Sequence, residues 1–193
     1  MLCFLLSRGF IMRASVGLLL VVASLPAFSQ DPRKFSNKLA PYVASPARVV
    51  DMMLELARIK PGETVYDLGS GDGRIVLAAA GKYKAKAVGV EISPRLVASA
   101  TAEIEKAGLS SQARVMQGDV LQADLTGADV VTMYLETELN AKLRPRLEKF
   151  LKPGARVVSH DYPVPGWKAT RVEKIAGRQN HTIYLYEIQA AKQ

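Results

Sequence analysis

The 193-residue sequence predicts a doubly wound α/β sandwich, a mostly parallel sheet with an antiparallel hairpin at its end. Three observations predict it. Five short apolar runs between 64 and 160 are interleaved with helical patterns. A glycine-rich turn, GSGDG at 69–73, joins the first of those runs to a helix. The tail alternates polar and apolar residues on either side of a turn at 177–180. Strands joined by helices make parallel pairs through right-handed crossovers, with the ligand crevice at the carboxyl ends of the strands.

Each element has its own signal. Ser45-Pro46 reads as an N-cap followed by proline at the first helical position. Val49, Val50, Met53, Leu54 and Ala57 recur at helical spacing, so an amphipathic helix is predicted over 46–59, stopped by Lys60-Pro61-Gly62. The run TVYDL at 64–68 is the first strand, and 74–82 the next helix. Residues 85–91 (AKAVGVE) form the second strand. Ser93-Pro94 caps a third helix that runs to Lys106 and closes at Gly108. Residues 113–117 and 129–134 are the third and fourth strands, too close together for more than a loop or a single helical turn between them. A helix over 138–150 ends at Lys152-Pro153-Gly154, and 155–160 is the fifth strand. Residues 171–175 and 182–188 make the terminal hairpin.

Composition bounds the answer. Hydrophobic residues are 49% and charged residues 23% of the chain, which excludes disordered, collagen-like and disulfide-rich classes. Lys and Arg number 26 against 18 Asp and Glu; the resulting charge of +8 permits acidic partners without identifying one. Residues 1–29 carry Arg8, Arg13 and no acid. Their apolar run, ASVGLLLVVASL at 14–25, is shorter than the roughly 20 residues of a bilayer-spanning helix. Pro26 and Ala27-Phe28-Ser29 then supply the small residues of a cleavage site. These are the parts of a secretory signal peptide or membrane anchor. The expectation is an exported, periplasmic or membrane-anchored protein, with the cytoplasmic side left open. Residues 30–45 are a linker or arm, and 46–193 the folded domain. Cys3 is the only cysteine and lies in the leading segment, so the domain has no disulfide, thiol nucleophile or thiolate metal site.

The chemistry sits at the glycine turn. Glycines let the backbone bend sharply and come close to a ligand, and the amides at the helix start face the same crevice. The spacing is G-x-G-x-G, not the G-x-G-x-x-G of a dinucleotide turn. Asp67 precedes the first glycine by two residues, and Asp72 lies within the turn. Two carboxylates repel a pyrophosphate and suit a cation bearing an amino group and a sulfonium. Glu91 ends the second strand, where an acid accepts hydrogen bonds from ribose hydroxyls. Asp119, after the third strand, is placed to reach the exocyclic amine of adenine. A lone acid at a strand end is as readily a solvated residue as a ligand-binding one; three at successive strand ends form a pattern.

Over residues 61–161, and in the order of these motifs, the sequence resembles the class I S-adenosylmethionine-dependent methyltransferases. The resemblance implies a Rossmann-like seven-stranded sheet ending in a reversed hairpin. It implies that Gly69, Gly71 and Gly73 line the methionine part of S-adenosylmethionine, with Glu91 on the ribose and Asp119 on the adenine. Asp67, Ser70, Ile92 and Val120 belong to the same expected cofactor wall. A narrower resemblance rests on Pro41-Tyr42-Val43-Ala44-Ser45-Pro46, on Tyr134-Leu135 with Glu138-Leu139-Asn140, and on Val157-Val158-Ser159-His160-Asp161. It is to small protein-lysine methyltransferases of archaea and mitochondria and their bacterial relatives. The export-like N-terminus departs from that pattern, because a periplasm offers no obvious source of the cofactor.

Methyl transfer from a sulfonium is an in-line displacement that asks a protein to position the acceptor, exclude water and keep the nucleophile unprotonated. Carbon methylation of pyrimidines commonly uses a cysteine, which the domain lacks. Methylation of exocyclic base amines or glutamine amides goes with an acid- or Asn-Pro-Pro-aromatic loop, where this chain has Thr132-Met133-Tyr134-Leu135. A lysine acceptor of a protein substrate fits better. Tyr134 and Tyr42 are the candidate aromatic walls, and Asp161 or Glu138 the candidate for orienting the amine. Tyr134 has an alternative role packing under the cofactor, and Tyr42 one as a staple on the first helix. Trp167 reads as a lid over the hairpin. Two histidines in the whole chain give no basis for a metal centre, so none is expected. Two other readings stand beside this one: a methyltransferase acting on RNA or a small molecule, and an exported, non-catalytic binder of S-adenosylmethionine or S-adenosylhomocysteine. The scattered Arg144, Arg146, Lys149, Lys152 and Arg156 read as a solvated face, not a nucleic-acid stripe. A monomer is expected, with membrane association through the leading segment.

Overall fold

The apolar runs become seven strands: β1 (Thr64–Leu68), β2 (Lys86–Glu91), β3 (Ala113–Gln117), β4 (Val130–Met133), β5 (Arg156–His160), β6 (Arg171–Ile175) and β7 (His181–Glu187). The computed structural model describes residues 42–189, so the expected export segment and all but the end of the arm lie outside the described residues. One sheet runs β3-β2-β1-β4-β5-β7-β6. The first five strands pair in parallel, and β7 is antiparallel to both β5 and β6. This is the Rossmann-like methyltransferase arrangement, with strand order reversing between β1 and β4. Residues 120–122 form the single turn of 3-10 helix expected between β3 and β4.

Four helices cover the sheet: α1 (Ala47–Leu56), α2 (Arg74–Tyr83), α3 (Pro94–Lys106) and α4 (Thr137–Phe150). Alternation along the strands sorts the core into two layers. Val65, Val130 and Val158 face α1, α2 and α3, where they meet Met53, Leu54, Val76, Ala79 and Ile104. Tyr66, Leu68, Val131, Met133 and Val157 face α4, where they meet Leu143 and Leu147. Asp67 and Thr132 are register partners on the first face, so a polar pair lies inside the sheet beside the crevice.

Other ends shift by a single residue; the two ends of α1 depart from the sequence reading for a physical reason. Ser45 does not cap α1: Pro46 is the N-cap, its carbonyl accepting the amides of Val49 and Val50, while the Ser45 hydroxyl bonds His160. α1 also stops at Leu56, short of 59, because Arg58 is left-handed (φ 51°) and cannot continue a right-handed helix. Ser93 does cap α3, accepting the Leu96 amide. No helix among the described residues is long and apolar enough to cross a membrane.

Candidate active site

The glycine turn is stitched to β2. The amides of Gly69 and Ser70 both donate to the Val90 carbonyl, at 2.8 and 3.1 Å. Gly69, Gly71 and Gly73 all have positive φ, between 55° and 78°. A Cβ on Gly71 would stand 2.4 Å from Tyr42 Cε2, and one on Gly69 2.9 Å from Leu135 Cδ2, so bare backbone faces the crevice. Gly89, inside β2, lets Ser70 pass: a Cβ there would come within 2.5 Å of Ser70 Oγ. Sequence reasoning missed this glycine, although its place in the middle of an apolar strand was a signal.

The three expected acids do stand at successive strand ends. The Glu91 carboxylate is buried and accepts the Gly71 amide through Oε2 and the Ser93 amide through Oε1, each at 2.9 Å. Asp119 accepts the Leu121 amide at 2.9 Å and caps the 3-10 turn, half-buried. Val120 packs against the α4-side core from that turn, and Ile92 is half-buried just past Glu91. Asp67 is buried and accepts the Thr132 hydroxyl at 2.7 Å. Burial pushes its carboxyl up to about 7; the Thr132 hydrogen bond opposes this and the charges of Glu91 and Asp72 reinforce it. Ser70 Oγ is buried without a partner.

Tyr42 does not staple α1; its ring lies on Gly71, at the mouth of the crevice. Arg74 fixes the arm there, donating to the Ser45 carbonyl at 2.8 Å and to the Asp72 carboxylate. That guanidinium holds the Asp72 carboxyl below its usual range. Tyr42, Ser45, Asp67, the glycine turn and Tyr134 line one crevice of about 40 Å³, room for little more than one water. Two wider hollows, about 530 Å³ each, lie around Trp167, Arg156 and Ile188, away from these carboxylates.

The second cluster closes around Asp161. Its left-handed backbone (φ 58°) turns the chain after β5 back onto β7. There the Asp161 amide donates to the Thr182 carbonyl, and the Thr182 amide donates to Asp161 Oδ1, both at 2.7 Å. Oδ2 faces His181 Nδ1 at 2.9 Å, His160 Nε2 at 3.2 Å and the Tyr134 hydroxyl at 3.4 Å. Burial works to raise the Asp161 carboxyl, but the His181 and Thr182 hydrogen bonds outweigh it and hold it below the usual range. The Tyr134 ring lies 3.8 Å, centroid to centroid, from that of His160, and Tyr162 follows at 6.0 Å. Burial, and then the Asp161 charge, push the Tyr134 phenol up. Asn140 anchors the loop behind by donating to the Tyr162 carbonyl at 3.0 Å. Glu138, the alternative for orienting an amine, stands exposed in the first turn of α4, outside this network. Trp167 packs on Tyr186 and donates to Glu148, away from the crevice.

A family model, the ANTKMT methyltransferase domain, matches residues 67–171. A protein-lysine N-methyltransferase of Saccharolobus islandicus is 48% identical over 150 residues, 77% of this chain and 93% of its own. The adenine nucleotide translocase lysine N-methyltransferase of Mus musculus is 35% identical over 163 residues, covering 84% of this chain and 68% of its own. A solved structure described as an RNA methyltransferase from Salinibacter ruber, in complex with S-adenosyl-L-homocysteine, superposes with a TM-score of 0.73 at 42% identity. That superposition covers 78% of this chain and 97% of the other. The strand order, the glycine turn with its acids and these likenesses agree: the chain belongs to the ANTKMT methyltransferase-domain family, within the class I S-adenosylmethionine-dependent methyltransferases.

Proposed function

We propose that the protein moves a methyl group from S-adenosylmethionine to the side-chain nitrogen of lysine in a protein acceptor. One observation carries the reading: the glycine turn, Asp67, Tyr42 and Tyr134 line the same crevice, with Asp161 directly behind Tyr134. The relatives named as lysine methyltransferases support the acceptor class.

The cradle fits the cofactor. Bare glycine backbone admits its methionine end, and Asp67 meets its charge. Glu91 keeps a second lone pair on each oxygen for the ribose diol. Asp119 serves the adenine, with Ile92 and Val120 as its apolar walls. When bound, the cofactor supplies an electrophilic methyl on a sulfonium. Tyr42 and Tyr134 enclose the acceptor and exclude water, and Asp161 orients the amine.

Asp67 gives this reading a pH signature. A cationic ligand favours its ionised form, so binding below pH 7 must expel a proton. Affinity for S-adenosylmethionine should rise by about tenfold per pH unit up to 7 and then level off. Asp67→Asn should flatten that slope, as calorimetry across pH 5.5–8.5, a span of about three units, will show. The same carboxyl lowers the stability of the ligand-free fold as pH rises through 7, because its folded pKa lies above the unfolded one.

An RNA acceptor is the second reading, favoured by the description of the Salinibacter structure. Incubating the protein with methyl-labelled S-adenosylmethionine and a cell extract separates the two. The export or anchor reading of residues 1–29 makes the membrane fraction the first acceptor source to test. Label in a protein band that disappears after lysine blocking is expected. Ribonuclease-sensitive label would select RNA. Cofactor binding with no label would leave a binder that does not turn over.

A further inference from the structure

Both histidines of the chain converge on Asp161, although His181 lies 20 residues away and beyond the 67–171 stretch of the family match. His160 Nε2, His181 Nδ1 and Asp161 Oδ2 form a triangle with edges of 2.9, 2.9 and 3.2 Å. All three bear lone pairs. In the tautomer that carries its proton on the outward nitrogen, an imidazole sets a lone pair beside the carboxylate oxygen, where it can accept a proton. The triangle thus offers His181 Nδ1 as a proton acceptor beside a carboxylate. It is also held rigidly. Ser45 Oγ engages His160 Nδ1 at 2.9 Å, the Thr182 amide holds Asp161 Oδ1, and the Tyr134 ring lies on His160.

We propose that Asp161 and His181, held in place by His160, form the base that takes the proton from the acceptor's side-chain ammonium. This rests on the lysine reading above. An N–H bond of the ammonium breaks and its electron pair stays on nitrogen, ready to attack. The proton passes by Asp161 Oδ2 to His181, where a new N–H bond forms and the carboxylate balances the imidazolium charge. His181, 12% exposed, then returns the proton to solvent. Burial pushes His160 down to about 4, so it stays neutral and serves as a positioning residue. The groups facing the pair are Tyr134 from the end of β4, His160 from β5, Tyr162 from the following loop and Ser45 from the arm. β6 sets Ile175 opposite His181 and Lys174 opposite Thr182.

Two measurements test this. The first needs no turnover. With two histidines in the chain, the 1H–13C ring signals of the S-adenosylhomocysteine complex can be assigned and followed separately. The His160 signal should stay neutral above pH 5, in the direction its burial sets. Asp161→Asn should move the His181 ring signal at fixed pH, because the charged partner at 2.9 Å is lost. A His181 signal indifferent to Asp161→Asn overturns the proposal even where His181→Gln fails to fold. The second is the pH–rate profile of His181→Gln on the labelled lysine acceptor. Its kcat should fall about tenfold to hundredfold near pH 7.5, and the deficit should shrink toward pH ~10, where lysine deprotonates unaided. S-adenosylhomocysteine affinity should not move. A loss equal at every pH, a matching loss of affinity, or activity that a chelator removes and zinc restores would overturn it. Wild-type protein that labels no lysine fails the functional reading itself, which is a different result from a pH-independent His181 defect.

Discussion

Glu91→Ala should leave no measurable heat of S-adenosylhomocysteine binding, an affinity loss of about a hundredfold or more. The carboxylate ends β2 and sits almost wholly buried, where each oxygen already accepts one backbone amide, from Gly71 and from Ser93. An ionised oxygen offers two lone pairs, so one on each remains for a pair of ribose hydroxyls. Hydrogen bonds to a charged acceptor contribute about 1.5–3 kcal/mol apiece, and two such bonds to a diol account for the expected loss. The substitution also strands two amides. Gly71 belongs to the turn proposed to cradle the cofactor, so on that reading the cradle loosens at the same moment that the ribose loses its partner. The melting temperature should therefore fall by several degrees, roughly 5–10 °C, for a domain of this size. Glu91→Gln separates the two effects: its carbonyl still accepts one amide, so stability should largely recover while affinity stays weak. Unchanged affinity in the folded Ala variant would move the ribose elsewhere.

The fold was legible because its signals are local. Each parallel strand is a short apolar run ending in an acid or a turn, and TVYDL, ARVMQ and the hairpin strand RVEKI fall where their patterns put them. The starts of α2 and α3 follow from Gly73 and from Ser93-Pro94. The start of α1 misled for a physical reason. Ser-Pro is a sound capping signal, but the Ser45 hydroxyl goes to His160, 115 residues away, and tertiary structure wins over the local option.

The acids proposed for the cofactor were legible for the same reason as the strands: Asp67, Glu91 and Asp119 each end a recognisable element. Their partners were not. Thr132 meets Asp67 only through the β1–β4 register, and His181 meets Asp161 only through the fold-back of β7 on β5. Nothing within ten residues of either partner announces the pairing. Arg74 read as a helix start, and its second role, clamping the arm to Asp72, depends on where residues 42–46 lie in space. Pairings of this kind need register, which periodicity within one strand does not carry.

Asp161→Asn should lower kcat by about a hundredfold or more and leave S-adenosylhomocysteine affinity within about twofold. Asparagine is the informative replacement. Residue 161 has φ 58°, a conformation asparagine adopts with little strain and alanine does not. Its amide oxygen can still accept the Thr182 amide, so the turn from β5 into the following loop survives. What disappears is the negative charge beside His181 and Tyr134, and with it the capacity to take or pass a proton. Tyr134→Phe should cost less, about tenfold, because the ring stays on His160 and only a hydroxyl 3.4 Å from Asp161 is lost. Steady-state kinetics on the lysine acceptor, set beside calorimetry, checks both. The expected split between turnover and affinity follows from the sheet order. Glu91 and Asp119 stand at the ends of β2 and β3, on one side of the reversal between β1 and β4; Asp161 follows β5, on the other. A change at Asp161 is therefore separated from the nucleoside by two strands and the glycine turn. Equal losses in kcat and affinity would mean that the cofactor reaches across that divide, and Asp161 and Tyr134 would then belong to its pocket.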